Sequence, residues 1–312
     1  MQLALAAALV ACAKTAPAGE LRYQTLEYQG HSRRYALYLP AGRDGRPLPL
    51  VFSLHGGGVS LEDQLGARGF KSPFKLWMEL ADREGFIVVY PEGLPGAYGT
   101  PSWNDCRADA NINSGADDVG FLLAVLERVA AGQPVDRNRV YASGISNGGF
   151  MALRLAVEAP GSFAAVAAIC AAMPAASECA PPRRAVPVLF MNGTADPNMP
   201  YRGGVLGNPA DPAHGTVLST PDSVEIWRSL AAASPQDPQT LPDLDPDDGG
   251  TVSRRDYLSG GRVWVRLYTV SGGGHAAPSL AEHYSRLFES RFGHQNHDLE
   301  ASAAIWEFFA GR

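Results

Sequence analysis

Ser146 sits in the run Gly144-Ile145-Ser146-Asn147-Gly148-Gly149, between a strand pattern ending near residue 143 and a helical pattern beginning near 148. A nucleophile elbow needs this context. Its turn is so tight that the positions flanking the serine must lack bulky side chains, and it presents Oγ at the C-terminal edge of a sheet, near the positive end of the next helix. A serine hydroxyl at its ordinary pKa is a poor nucleophile, so the chemistry also requires a histidine base and an acid that orients it. Among the seven histidines, His275 closes a glycine-rich loop, Ser271-Gly272-Gly273-Gly274-His275, directly after a strong strand pattern. Asp196 follows the apolar run 186–191 through Asn192-Gly193-Thr194-Ala195, so it too falls just past a strand end; Asp211 and Asp222 compete but follow no strand. The expectation is acyl transfer: Ser146 attacks, His275 moves the proton and Asp196 fixes the imidazole.

The chain order serine, acid, histidine is that of α/β-hydrolases and differs from the chymotrypsin and subtilisin orders. Leu54-His55-Gly56-Gly57-Gly58 ends an early strand pattern, and consecutive glycines let a chain turn its amides into a cavity without side-chain clashes. The oxyanion hole is assigned to the amides of Gly57 and Asn147, with Gly58 as the alternative first donor. His55 reads as a brace for that loop rather than as a base.

These groups need a scaffold. Residues 21–28 and 33–39 alternate around 29–31 and predict an antiparallel hairpin at a sheet edge. Short apolar runs at 50–54, 86–90, 139–142, 164–169 and 186–191 predict buried parallel strands, and 262–270 a further strand. Helical patterns fall at 75–83, 119–130, 148–158, 222–232, 280–290 and 299–309. Alternating strands and helices imply an α/β fold with a mostly parallel, doubly wound sheet, in a single catalytic domain over 19–312. Two tracts rich in Gly, Pro and Asp, 202–221 and 234–250, read as surface insertions. Asp243, Asp245 and Asp247 alternate in a way that suits Ca²⁺, but Gly249 is misplaced for an EF-hand and Arg254 stands where the closing Glu belongs, which favours a solvated acidic loop. His294 and His297 are too few for a convincing metal site.

Composition narrows the field. The 312 residues carry 26 Lys and Arg against 32 Asp and Glu, a net charge of −6 with no basic run, so a nucleic acid finds no strong attraction. With 46% hydrophobic and 19% charged residues, the chain has material for a large core and is not of disordered type. There is no Walker-type phosphate loop and no HExxH zinc pair.

Residues 1–13 are almost wholly apolar, and residues 1–18 are expected to be a secretory leader. Leu9-Val10-Ala11-Cys12 resembles a bacterial lipobox, which leaves open either a lipid on Cys12, with membrane attachment through it, or an ordinary signal peptide. The expected location is secreted or periplasmic. The other three cysteines allow one disulfide with one thiol left over, and their pairing stays open; Cys170 follows a buried-strand pattern and reads as a packed thiol, so Cys106 with Cys179 is the preferred pair.

The motifs LHGGG (54–58), PEG (91–93), WNDC (103–106), DDVGF (117–121), GISNGGFMALRLA (144–156), NGTADPNMPYRGG (192–204), SGGGH (271–275) and IWEFF (305–309) together resemble the secreted polyhydroxybutyrate depolymerase and feruloyl esterase group of α/β-hydrolases, over most of 21–309. The resemblance implies a carboxylic ester hydrolase that needs no cofactor and acts on polyesters or on feruloyl and other aryl-linked esters through the same three residues. It also places the tryptophan of the WN motif near the substrate cleft. Trp103 is thus either a substrate-stacking residue or a core anchor beside the cysteine. Three departures stand out: His275-Ala276-Ala277-Pro278 where the group often has HTWP, Asn192 where many members have histidine, and Gly57 where many have cysteine. The first removes an aromatic wall and points to a wider pocket. No Thr-rich linker or separate granule-binding domain is visible, so small or soluble esters fit as substrates. Acyl transfer to other acceptors or peptide cleavage by the same triad, and a non-catalytic binding role on this scaffold, are the competing functions.

Overall fold

In the computed structural model, which describes residues 18–312 apart from 68, 70, 209 and 211, the apolar runs become strands whose successive side chains enter two different cores. Residues 1–17 of the expected leader, Cys12 among them, lie outside the described residues. The long strands are β1 (Glu20–Tyr28), β2 (His31–Leu39), β3 (Leu48–Leu54), β4 (Ile87–Pro91), β5 (Val135–Ile145), β6 (Ala165–Ile169), β7 (Val188–Gly193), β8 (Thr251–Ser259) and β9 (Arg262–Ser271). In β3, Leu50, Phe52 and Leu54 join one core and Val51 the other; in β4, Ile87 and Val89 oppose Val88 and Tyr90. A strand buried on both faces has no polar side to show, which is why these runs read as continuous rather than alternating.

The longer helices are α1 (Leu76–Glu84), α2 (Asp118–Gly132), α3 (Asn147–Glu158), α4 (Thr220–Leu230), α5 (Arg286–Phe292) and α6 (Ala301–Ala310). Phe121, Met151 and Trp227 bring α2, α3 and α4 to one face, while Trp77 and Phe308 bring α1 and α6 to the other. The sheet order is β1-β2-β4-β3-β5-β6-β7-β9-β8. β4, β3, β5, β6, β7 and β9 are parallel, and the β1–β2 hairpin is antiparallel and joins β4. The expected doubly wound sheet with its N-terminal hairpin is therefore the observed fold.

Three expectations change. First, the tracts 202–221 and 234–250, though exposed over much of their length, carry short strand pairings that the sequence did not signal: Gly204–Val205 pairs with Thr216–Val217, with Leu206 and Val217 buried, while Ser234–Pro235 and Gln239–Thr240 pair with β8. Nor is the acidic loop merely solvated. Asp248 is buried and accepts the His297 N–H at 2.6 Å, and Asp245 meets His297 Nδ1 at 3.0 Å, which fastens the loop to the segment before α6. Second, β8 had no sequence signal, because charged Arg254, Arg255 and Asp256 interrupt it and only Val252 and Tyr257 are buried. Third, the helix expected over 280–290 begins only at Arg286, since the Tyr284 N–H donates to Gln295 Oε1 instead of entering a helical ladder.

Cys106 and Cys179 form a disulfide, and Cys170 is a free buried thiol, as expected. Among the described residues, no helix is long and apolar enough to cross a membrane.

Candidate active site

β5, β7 and β9 end at Ile145, Gly193 and Ser271, on the same edge of the sheet, so Ser146, Asp196 and His275 each follow a C-terminal strand end within four residues. Parallel α/β sheets place their ligand sites at this edge. Ser146 has φ 54° and ψ −123°, a backbone conformation rare for a residue with a side chain. The flanking glycines are forced by contact: a Cβ on Gly144 would lie 2.2 Å from the Gly148 carbonyl oxygen, and one on Gly148 would lie 2.4 Å from the carbonyl oxygens of Leu54 and His55. The second glycine thus lets α3 dock against the end of β3.

Asp196 Oδ2 accepts a hydrogen bond from His275 Nδ1 at 2.7 Å, and its Oδ1 accepts from the Asn198 and Met199 amides, each at 2.8 Å. With Nδ1 donating, the other imidazole nitrogen is left as an acceptor. His275 is held from behind, because its own N–H donates to the Phe292 carbonyl at 2.6 Å. A Cβ on Gly274 would come within 2.4 Å of the same carbonyl oxygen, which accounts for a glycine before the histidine. Beneath Asp196, burial pushes the Cys170 thiol's pKa up, so it stays protonated.

Ser146 and His275 line one cavity of about 550 Å³, together with Gly57 and Asn147. The Asn147 amide opens α3, where first-turn N–H groups have no acceptor within the helix. The Gly58 N–H, the alternative first oxyanion donor, is already engaged by the Pro101 carbonyl at 2.8 Å. His55 is buried and braces the glycine loop. Its Nε2 accepts the Gly93 N–H at 2.9 Å, so Nδ1 carries the proton and donates to the Gly56 carbonyl at 2.8 Å. Burial lowers its pKa to about 4, so it stays neutral.

Trp103 is 0% exposed, so the substrate-stacking alternative gives way to the core anchor. Its indole N–H donates to the His55 carbonyl at 2.9 Å and its ring lies 4.7 Å from the His55 imidazole. A ring committed in this way under the glycine loop has no face left for a ligand.

Residues that sequence reasoning missed tie this region together. The Asn147 side chain accepts the Trp103 N–H at 2.6 Å and donates to the Trp103 carbonyl at 3.0 Å and to Asp105 Oδ2 at 2.8 Å. Asp105 also takes both ends of the Arg107 guanidinium, at 2.9 and 2.6 Å, and Arg107 lies 4.2 Å above the Phe150 ring. The only sequence signal was an acid and a base flanking a cysteine. On the opposite side, Gln295 Nε2 donates to the carbonyls of Ala277 and Glu282, holding the excursion that carries α5.

The fold and the relatives of this chain define a carboxylic ester hydrolase with an α/β-hydrolase fold. The chain belongs to the family described as Esterase PHB depolymerase, whose pattern matches residues 33–197. Similar proteins include the putative esterase NocK of Nocardia uniformis subsp. tsuyamanensis, 35% identical over 263 residues that cover 80% of this chain and 72% of that one. Feruloyl esterase B of Piromyces equi is 28% identical over 78% of this chain, which spans only 42% of that protein's length. A poly(3-hydroxybutyrate) depolymerase of Ralstonia pickettii is 31% identical over 41% of this chain and 27% of its own. The solved acetyl xylan esterase from Aspergillus awamori shares the fold, with TM-score 0.58 and 15% identity over 94% of this chain and all of that one.

Proposed function

We propose that the chain hydrolyses carboxylic esters through a serine acyl-enzyme, with Ser146 as nucleophile, His275 as base and then acid, Asp196 orienting the imidazole, and the Gly57 and Asn147 amides receiving the oxyanion. The observation that carries this reading is the 2.7 Å Asp196–His275 hydrogen bond, with His275 and the strained Ser146 turned to one cavity. His275 takes the Ser146 proton as Oγ attacks the ester carbonyl, and the alcohol leaves with that proton. Water, deprotonated by the same imidazole, then releases the acid. No step draws on a cofactor. The oxyanion amides act where charge develops, and losing one such donor costs about 3–4 kcal/mol of barrier.

The substrates proposed are feruloyl or other aryl esters and short hydroxyalkanoate esters, classes named among the relatives. Support comes from a cavity wall rich in Phe and Tyr side chains. Secretion is proposed as well, because the Cys106–Cys179 disulfide suits an oxidising compartment.

Ser146→Ala tests the assignment. Hydrolysis of p-nitrophenyl butyrate should fall by roughly 10⁴-fold or more, and labelling by a fluorophosphonate probe should vanish, with the circular dichroism spectrum unchanged. Undiminished turnover in that variant removes Ser146 from the mechanism.

A further inference from the structure

One wall of the cavity is a row of rings. Phe288 and Phe292 lie four residues apart on α5, the spacing that puts them on one helix face, and Tyr284 stands just before the helix begins. Tyr284 stacks on Phe288 with centroids 4.0 Å apart and planes 17° apart, and Phe288 meets Phe292 at 4.5 Å and 34°. Phe292 lies 6.3 Å from the His275 imidazole. All four rings line the cavity, so the row starts at the candidate base and runs away from it.

That starting point says which half of an ester the row meets. When the acyl-enzyme forms, the bond between the carbonyl carbon and the alcohol oxygen breaks. The acyl group stays on Ser146 Oγ, and the departing oxygen takes its proton from His275. The departing oxygen must therefore lie within hydrogen-bond reach of the imidazole. The rest of the alcohol continues into the space beside that ring, where Phe292 and Phe288 stand.

The stacking also says which chemistry the row prefers. Phe288 stacks on Tyr284 and lies against Phe292 at a 34° tilt, so ring face is spent within the row and ring edge is what remains for a ligand. Ring edges carry positive partial charge and attract the negative face of another aromatic ring. A saturated ring of the same size offers no such face. The geometry points to an alcohol-side subsite, formed by Phe292, Phe288 and Tyr284, that selects esters whose leaving alcohol carries an aromatic ring. This rests on the serine esterase reading and adds which half of the substrate is recognised.

The test is a set of four esters with the full-length protein: benzyl butyrate against cyclohexylmethyl butyrate, and methyl phenylacetate against methyl cyclohexylacetate. The benzyl ester should exceed its saturated counterpart in kcat/KM by about three- to tenfold. Phe288→Leu should bring that ratio close to one, and Phe288→Tyr, which keeps the ring, should preserve it. The ratio within the acyl pair should not respond to either substitution. Equal rates for the two butyrates in the unmodified enzyme overturn the subsite whatever the variants do, so the result stands even if Phe288→Leu fails to fold. A Phe288-dependent preference in the acyl pair overturns it too, by placing the row on the other half of the ester. An enzyme that turns over all four esters with ratios near one loses the subsite alone; one that turns over none loses the esterase reading with it.

Discussion

The two walls of the cavity are held in opposite ways. On the Ser146 side, buried Trp103, Asp105, Arg107 and Asn147 bond to one another, and the Cys106–Cys179 disulfide ties the same loop down. On the His275 side, α5 buries no residue and Leu287 is 81% exposed. There the chain is fastened from beneath by Gln295 and by Glu300, whose carboxylate accepts the Ser279 hydroxyl at 2.7 Å and the Leu280 N–H at 3.1 Å. Ser146 and the Asn147 amide sit on the cross-linked wall, whereas the rings of Tyr284, Phe288 and Phe292 sit on the looser one, beside a His275 that the Asp196 carboxylate holds in place. A lightly anchored segment opens at lower free energy than a packed one, so substitutions should divide by wall.

The largest stability effect is expected from Asp105→Ala, which strands the buried Arg107 guanidinium and removes an acceptor from Asn147. Breaking a buried pair from one side costs about 3–5 kcal/mol, so thermal unfolding should move down sharply and ester hydrolysis should fall with it. A loss below about 1 kcal/mol, the range of exposed pairs, would show that this wall is not cross-linked as described.

Glu300→Gln probes the other wall through pH. Burial raises the Glu300 pKa from 4.5 to about 7. The folded state then holds this proton more tightly than the unfolded chain does, so the group's contribution to stability is full below pH 4.5 and lost as pH rises through about 7. Glutamine stays neutral and can accept the same two hydrogen bonds. The variant should match the parent at pH 4 and exceed it at pH 8.5 by on the order of 2–3 kcal/mol, read from urea unfolding at both values. An equal difference at the two pH values would break the link to ionisation.

The smallest effect is expected for Leu287→Glu on the outer face of α5. Unfolding free energy should change by less than about 0.5 kcal/mol, with hydrolysis of p-nitrophenyl butyrate unaltered. A large loss would mean that this face is covered and that the looser wall is tighter than its burial indicates.

What the sequence revealed follows the same division. The positions of Ser146, Asp196 and His275 at strand ends, and the need for Gly144 and Gly148, were legible because each depends on a few contiguous residues. The Cys106–Cys179 pairing was the preferred one, because Cys170 continues a buried strand, but three cysteines left the choice open until the fold brought two of them together. Trp103 was read only to a choice of two places, since its depth depends on His55, 48 positions away in the chain. The start of α5 was misplaced for a similar reason, because Gln295 takes the Tyr284 N–H that a helical ladder would have used. The Asp105–Arg107–Asn147 cluster left almost no trace, since polar residues in a loop look alike until their partners are known.

The backbone at Ser146, φ 54° and ψ −123°, has a consequence for how such a protein changes over time. A residue with a Cβ held there carries about 1–3 kcal/mol of strain, and glycine would relieve it. Screening random variants for heat resistance alone would therefore reward loss of this side chain. A library that keeps the hydroxyl under that pressure must be sorted by turnover as well.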